Sequence, residues 1–148
     1  MNPIRRMTVQ AVAALAAGLL LPLRALAAWN KEAFQAKTAA DALKNLGIAS
    51  SAESKDVLIE APQIAENGAV VPIEITSNVP NTKSIAIVIE KNPFPLAAKF
   101  DFSEGAAPYV KVNVKLGESS LVRVLAEAGG KFYSASKEIK VTIGGCGG

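Results

Sequence analysis

From residue 56 onward the chain reads as strands, and in several of them apolar side chains recur at every second position, an alternation that gives each one buried face. Val71, Ile73 and Ile75 carry the pattern in 69–77, and Ile85, Ile87 and Ile89 carry it in 84–90. In 109–116 Val110, Val112, Val114 and Leu116 point inward, while Lys111, Asn113 and Lys115 are left for solvent. The stretches 56–61, 98–102, 119–128 and 131–143 complete the set; in the last, Ile139, Val141 and Ile143 share the inner face. Pro62 ends the first of these, and Pro72 places 69–77 at a sheet edge or itself among that strand's first residues. Gly129-Gly130 is a two-residue hairpin signal, and Gly117-Glu118 is expected to make a similar tight turn. About seven strands at this density predict a mainly β fold, an immunoglobulin-like antiparallel β-sandwich.

Ahead of the strands, Asn30 suits a helix N-cap and Gly47 a C′ position. Between them Phe34, Ala40, Leu43 and Leu46 recur at helical spacing. One helix or two short ones over 31–46 are expected, covering an end or edge of the sandwich.

The first 27 residues read as an export signal. Arg5 and Arg6 are its basic start, Val9 to Leu23 its apolar stretch, and Ala25-Leu26-Ala27 a small-x-small cleavage site. The paired arginines point to the twin-arginine route, with Ile4 and Thr8 departing from that motif and Sec export as the alternative. The expected organisation is therefore a signal over 1–27, a helix and β-sandwich domain over 28–143 and a terminal arm over 144–148. Of 16 Lys+Arg against 13 Asp+Glu, three arginines and no acids belong to the signal, so the remainder is formally neutral. That gives no argument for nucleic-acid binding, and after signal removal no stable membrane association is expected.

The arm holds the sole cysteine. In Gly144-Gly145-Cys146-Gly147-Gly148 nothing beside the thiol has a side chain to pack with, and glycine loses the most backbone entropy when fixed. The expectation is a flexible swinging arm leaving from Ile143 as the last anchored residue, with Cys146 roughly 10 Å beyond it when extended. Only two residues follow the cysteine, too few for a prenylation box, and with no histidine and no second cysteine a metal site lacks ligands.

Catalytic machinery is missing from the residue list. Without histidine no Ser-His or Cys-His pair can form, and no glycine loop precedes a helix to cradle phosphate. Haem attachment would need Cys-x-x-Cys-His, which is absent. No Lys or Arg lies within five residues of Cys146, so its thiol has no local activation and is about a few per cent thiolate at neutral pH. A peptide thiol that is inert alone and activated by other proteins is the design of a covalent carrier, which keeps its cargo tethered between enzymes. No catalytic residue, metal or cofactor is assigned. Asn92-Pro93-Phe94-Pro95-Leu96 stands apart between two strands, either as a rigid turn that prevents edge pairing or as a contact loop with Phe94 as anchor.

The run Val141-Thr142-Ile143-Gly144-Gly145-Cys146-Gly147-Gly148 resembles the C-terminus of the SoxY family, sulfur-substrate carriers of the thiosulfate-oxidising Sox system. The paired arginines, the helix after the signal and Lys91-Asn92-Pro93-Phe94-Pro95 extend the resemblance over the mature chain. It implies a periplasmic carrier whose Cys146 takes thiosulfate as a cysteine S-thiosulfonate. The implied partners are SoxZ in a stable heterodimer, the haem enzyme SoxXA for loading, the dimanganese hydrolase SoxB for sulfate release, and a sulfane dehydrogenase. Two other readings of the residues stand beside it. One is an exported structural module cross-linked through Cys146, and the other a Gly-Gly-terminated sulfur carrier of ubiquitin-like type, for which the export signal is the wrong address.

Overall fold

The computed structural model describes residues 29–142. Two short helices, α1 (Lys31–Gln35) and α2 (Ala39–Asn45), precede nine strands. These are β1 (Ala52–Glu53), β2 (Val57–Glu60), β3 (Ile64–Ala65), β4 (Val71–Ser77), β5 (Thr82–Ile89), β6 (Leu96–Asp101), β7 (Tyr109–Val114), β8 (Ser120–Ala128) and β9 (Lys131–Val141). The larger sheet runs β1-β9-β8-β5-β6, with β3 also on β9, and the smaller runs β2-β4-β7.

All the longer pairings are antiparallel, as expected for the immunoglobulin-like sandwich. The inner faces meet as the alternation requires: Ile73 and Ile75 of one sheet and Ile85, Ile87, Ile89, Val122, Val124 and Ile139 of the other are fully buried in one core. Removing such apolar area from water supplies most of the folding free energy of a domain without disulfides. Pro72 falls in the first residues of β4, beyond the reach of β2, whose pairing with β4 stops at Glu74. Its missing N–H therefore costs no bond on that side.

The helices do not cover an end or edge of the sandwich. They lie on the outer face of the larger sheet, where Ala33, Ala36, Ala42 and Ile48 pack against Ala86, Val88, Leu96 and Leu125. This explains why β5 is apolar at consecutive positions: Ile85 to Ile89 are buried on both faces. Asn30 caps α1 by accepting from the Ala33 N–H at 3.0 Å. Thr38 starts a new helix by accepting from the Asp41 N–H at 3.1 Å, and this cap divides 31–46 into two. Gly47 ends α2 at φ +76°, while the Ile48 N–H reaches back to the Leu43 carbonyl at 2.9 Å.

Gly129 and Gly130 both have positive φ, +59° and +74°, as a two-residue hairpin turn of type I′ demands, and Ala128 pairs directly with Lys131. Gly117-Glu118 is different. The strands on either side of it, β7 and β8, belong to different sheets, so this segment is a crossing and not a hairpin. Buried Leu116 anchors the crossing in the core.

Candidate functional site

The residues predicted to do the chemistry, Cys146 with Gly144, Gly145, Gly147 and Gly148, lie outside the described residues, as do Ile143 and the export signal over 1–27. What the structure does describe is the root from which they extend.

That root is the end of β9. Two short strands that the alternation did not reveal bind its outer edge in parallel, β1 at Tyr133–Ser134 and β3 at Lys140–Val141. The Lys140 N–H donates to the Gln63 carbonyl at 3.0 Å and the Thr142 N–H to the Ala65 carbonyl at 3.1 Å. On the other edge, the Val141 N–H donates to Ser119 Oγ at 2.8 Å. The last described residues of the chain are thus hydrogen-bonded on both sides.

Gly68 completes the brace. A side chain there would place its Cβ 2.5 Å from the Leu116 carbonyl oxygen and 2.9 Å from a Val141 methyl, so only glycine fits. The close approach lets the Leu116 N–H donate to the Gly68 carbonyl at 2.7 Å, stitching the 63–70 segment to the crossing. The 90–95 loop joins from the far side. Asn92 Nδ2 donates to the Lys115 carbonyl at 2.7 Å, the Gly117 N–H donates to Asn92 Oδ1 at 3.1 Å, and the Lys91 N–H donates to Ser120 Oγ at 3.1 Å. Within the loop, the Ile89 N–H donates to the Pro95 carbonyl at 2.8 Å. The loop is therefore a rigid turn, as one reading of Asn92–Leu96 had it. Phe94 nevertheless stays 47% exposed at its tip, with Lys37 Nζ 3.6 Å from the ring centroid.

Among the described residues no three His, Cys, Asp or Glu side chains converge on a point that could hold a metal. Glu90 and Arg123 pair on the outer face of the larger sheet beside α2. On the outer face of the smaller sheet Glu74 accepts from Lys111 Nζ at 2.5 Å and from the Tyr109 hydroxyl at 2.7 Å. The Lys111 hydrogen bond, then that of Tyr109, lowers the Glu74 pKa. The hydrogen bond to Glu74 is in turn the main cause that raises the pKa values of Tyr109 and Lys111.

This trio gives a pH dependence of known sign. A carboxylate held below its unfolded value stabilises the fold fully above that unfolded value, and loses the contribution as pH falls through the folded one. Lys111→Met is expected to move the Glu74 midpoint up toward the ordinary carboxylate range in an NMR titration. An unchanged midpoint would contradict the assignment.

Fold and root together define a β-sandwich scaffold that braces the end of its final described strand on both edges. The family model described as "Sulfur oxidation protein SoxY" matches residues 43–146, more than half of the chain. The chain belongs to the SoxY family. Among solved structures, it is similar to the sulfur carrier protein SoxY from Chlorobium limicola f thiosulfatophilum, at 35% identity and a TM-score of 0.62. That match covers 70% of this chain and 96% of the other. No curated protein matches the chain.

Asn30, Gly47 and Gly129-Gly130 were legible as local signals, and Gly68, Ser119 and Asn92 were not. The only hint at Gly68 was Asn67-Gly68, a turn-forming pair between β3 and β4, whose Asn67 side chain accepts from the Ala69 N–H at 2.9 Å.

Proposed function

We propose that this chain is a non-catalytic periplasmic carrier. It holds thiosulfate-derived sulfur on the Cys146 thiol and presents it to successive enzymes that oxidise thiosulfate to sulfate. The observation that carries the reading is the extent of the family match, which ends on Cys146, the sole cysteine of the sequence. The braced root supports it, because a carrier needs a defined exit for an arm whose glycine flanks leave the thiol accessible.

The chemistry balances only with partners. Loading joins the Cys146 sulfur to the sulfane sulfur of thiosulfate: R–SH and S2O3²⁻ give R–S–S–SO3⁻, one proton and two electrons. The electrons pass to a haem enzyme of the SoxXA type, since this chain has no group to accept them. Hydrolysis by a dimanganese enzyme of the SoxB type then cleaves the S–SO3 bond. R–S–S–SO3⁻ and water give the persulfide R–S–SH, sulfate and one proton. A sulfane dehydrogenase oxidises the remaining sulfur, and a SoxZ-type chain forms the stable heterodimer. Export of this pair as a folded unit gives the twin-arginine start its physical reason, because a SoxZ-type chain without a signal can travel only if it is already bound.

The test is reconstitution. Purified protein incubated with thiosulfate alone is expected to keep its free-thiol mass. Adding periplasmic extract of thiosulfate-grown cells and an electron acceptor is expected to produce an adduct that reduction removes. Adduct formation without extract, or none with it, would contradict the proposal.

A further inference from the structure

The end of β9 is flanked by two segments that share one unexplained property, exposed large apolar side chains. On one side the 63–70 segment carries Ile64 and Val70, 57% and 54% exposed. On the other, the 90–95 loop carries Phe94. The first segment is bonded to Thr142 through Ala65, and the second reaches Val141 through Asn92, the crossing and Ser119. Phe94 belongs to neither hydrophobic core, and the loop's own hydrogen bonds are made by Asn92 and Pro95. The Lys37 ammonium lies over its ring, a contact that favours this rotamer before any partner arrives.

We propose that Phe94, Ile64 and Val70 form a docking collar beside the end of β9, and that the enzyme that loads Cys146 seats on it. The inference rests on the carrier reading and adds the surface by which the carrier is recognised. The reach of the chain supports it. Cys146 lies four residues beyond Thr142, so its Cα extends at most roughly 13–14 Å from the root. An enzyme whose reacting atoms meet that sulfur must bring its own surface within this distance, and the surface it then covers is the collar. The enzyme surface is expected to carry an apolar recess that Phe94 fills. Exposed Lys37 and Lys91 favour carboxylates on the Phe94 side, while exposed Glu66, between Ile64 and Val70, favours a cation on the other. A second copy of this chain in the same place would bring two arms face to face and close both to enzymes.

The experiment measures enzyme-catalysed loading of the full heterodimer against carrier concentration, by intact mass. The probe is the coupling enzyme purified by its ability to load the wild-type chain with thiosulfate. Phe94→Ala and the pair Ile64→Ser/Val70→Ser are each expected to lower kcat/KM at least tenfold through KM, with kcat preserved, because the lost contact is made equally before and during reaction. Reaction of Cys146 with a small maleimide and the urea midpoint are expected to stay at wild-type values, and Tyr109→Ser, at the opposite end of β7, is expected to load normally. Wild-type kcat/KM in both collar variants would overturn the collar while leaving the carrier reading intact, and so would an equal loss in Tyr109→Ser. A Phe94→Ala chain that separates from its stable partner on gel filtration would also overturn it, by assigning the ring to the permanent interface. A wild-type chain that is never loaded would instead sink the carrier reading itself.

Discussion

Cys146→Ser is expected to reduce thiosulfate-dependent sulfur loading of this chain to background, and with it the host's thiosulfate oxidation through this pathway, while leaving the fold unchanged. The size of the effect follows from the composition. The protein has one cysteine and no histidine, so no second nucleophile of comparable strength can take over the cargo. Serine is nearly isosteric, yet its hydroxyl cannot form the S–S bond on which loading depends. The substitution lies beyond β9, five residues past Val141, and exchanges one small side chain for another, so the urea midpoint should match the wild type. Oxygen-electrode rates of cells carrying the variant as sole copy provide the check. Rates within twofold of wild type would contradict the covalent role.

Gly68→Val is expected to be the most damaging single change near the arm that leaves the arm's own sequence intact. The new Cβ meets backbone, the Leu116 carbonyl at 2.5 Å, and cannot be relieved by rotating a side chain. The 63–70 segment must move away from the crossing and from Val141. That weakens the Leu116–Gly68 hydrogen bond and the parallel pairing of β3 with Lys140 and Val141. Overpacking costs about 1–3 kcal/mol, and each lost hydrogen bond adds about 1 kcal/mol, so a total of roughly 2–4 kcal/mol is expected. Urea denaturation measures it directly. The root should also lose definition, so that enzyme-catalysed loading slows while maleimide still reacts with Cys146 at the wild-type rate. A Gly68→Val protein as stable as wild type would show that the brace is not formed as described.

Where the sequence pattern was long, it was sufficient. The period-two runs through Ile73, Ile87, Val112 and Ile139 located four strands and their buried faces, because a slip of one residue would expose every apolar side chain, while the other three were bounded by turn residues. The cap at Asn30 and the turn at Gly129-Gly130 were readable because each rests on the chemistry of one or two adjacent residues. β1 and β3 were not readable. Two residues carry no period, and Ala52-Glu53 and Ile64-Ala65 become strands only because β9 offers them a free edge. The position of α1 and α2 was also hidden, since apolar helix faces do not say which sheet surface they cover. The continuous apolar run of β5 was the clue that this surface is buried too. The candidate site divides in the same way. Cys146 stands out from its glycine neighbours without any structure, whereas the brace of Gly68, Ser119 and Asn92 joins residues up to 73 positions apart and exists only in the folded chain.

The most direct measurement is intact and peptide-level mass spectrometry of the protein taken from thiosulfate-grown cells. The account predicts sulfur adducts confined to the C-terminal peptide containing Cys146, removed by reduction and absent from cells grown without thiosulfate. A wholly unmodified thiol in cells that are actively oxidising thiosulfate, or a permanent disulfide between chains as the working form, would contradict it.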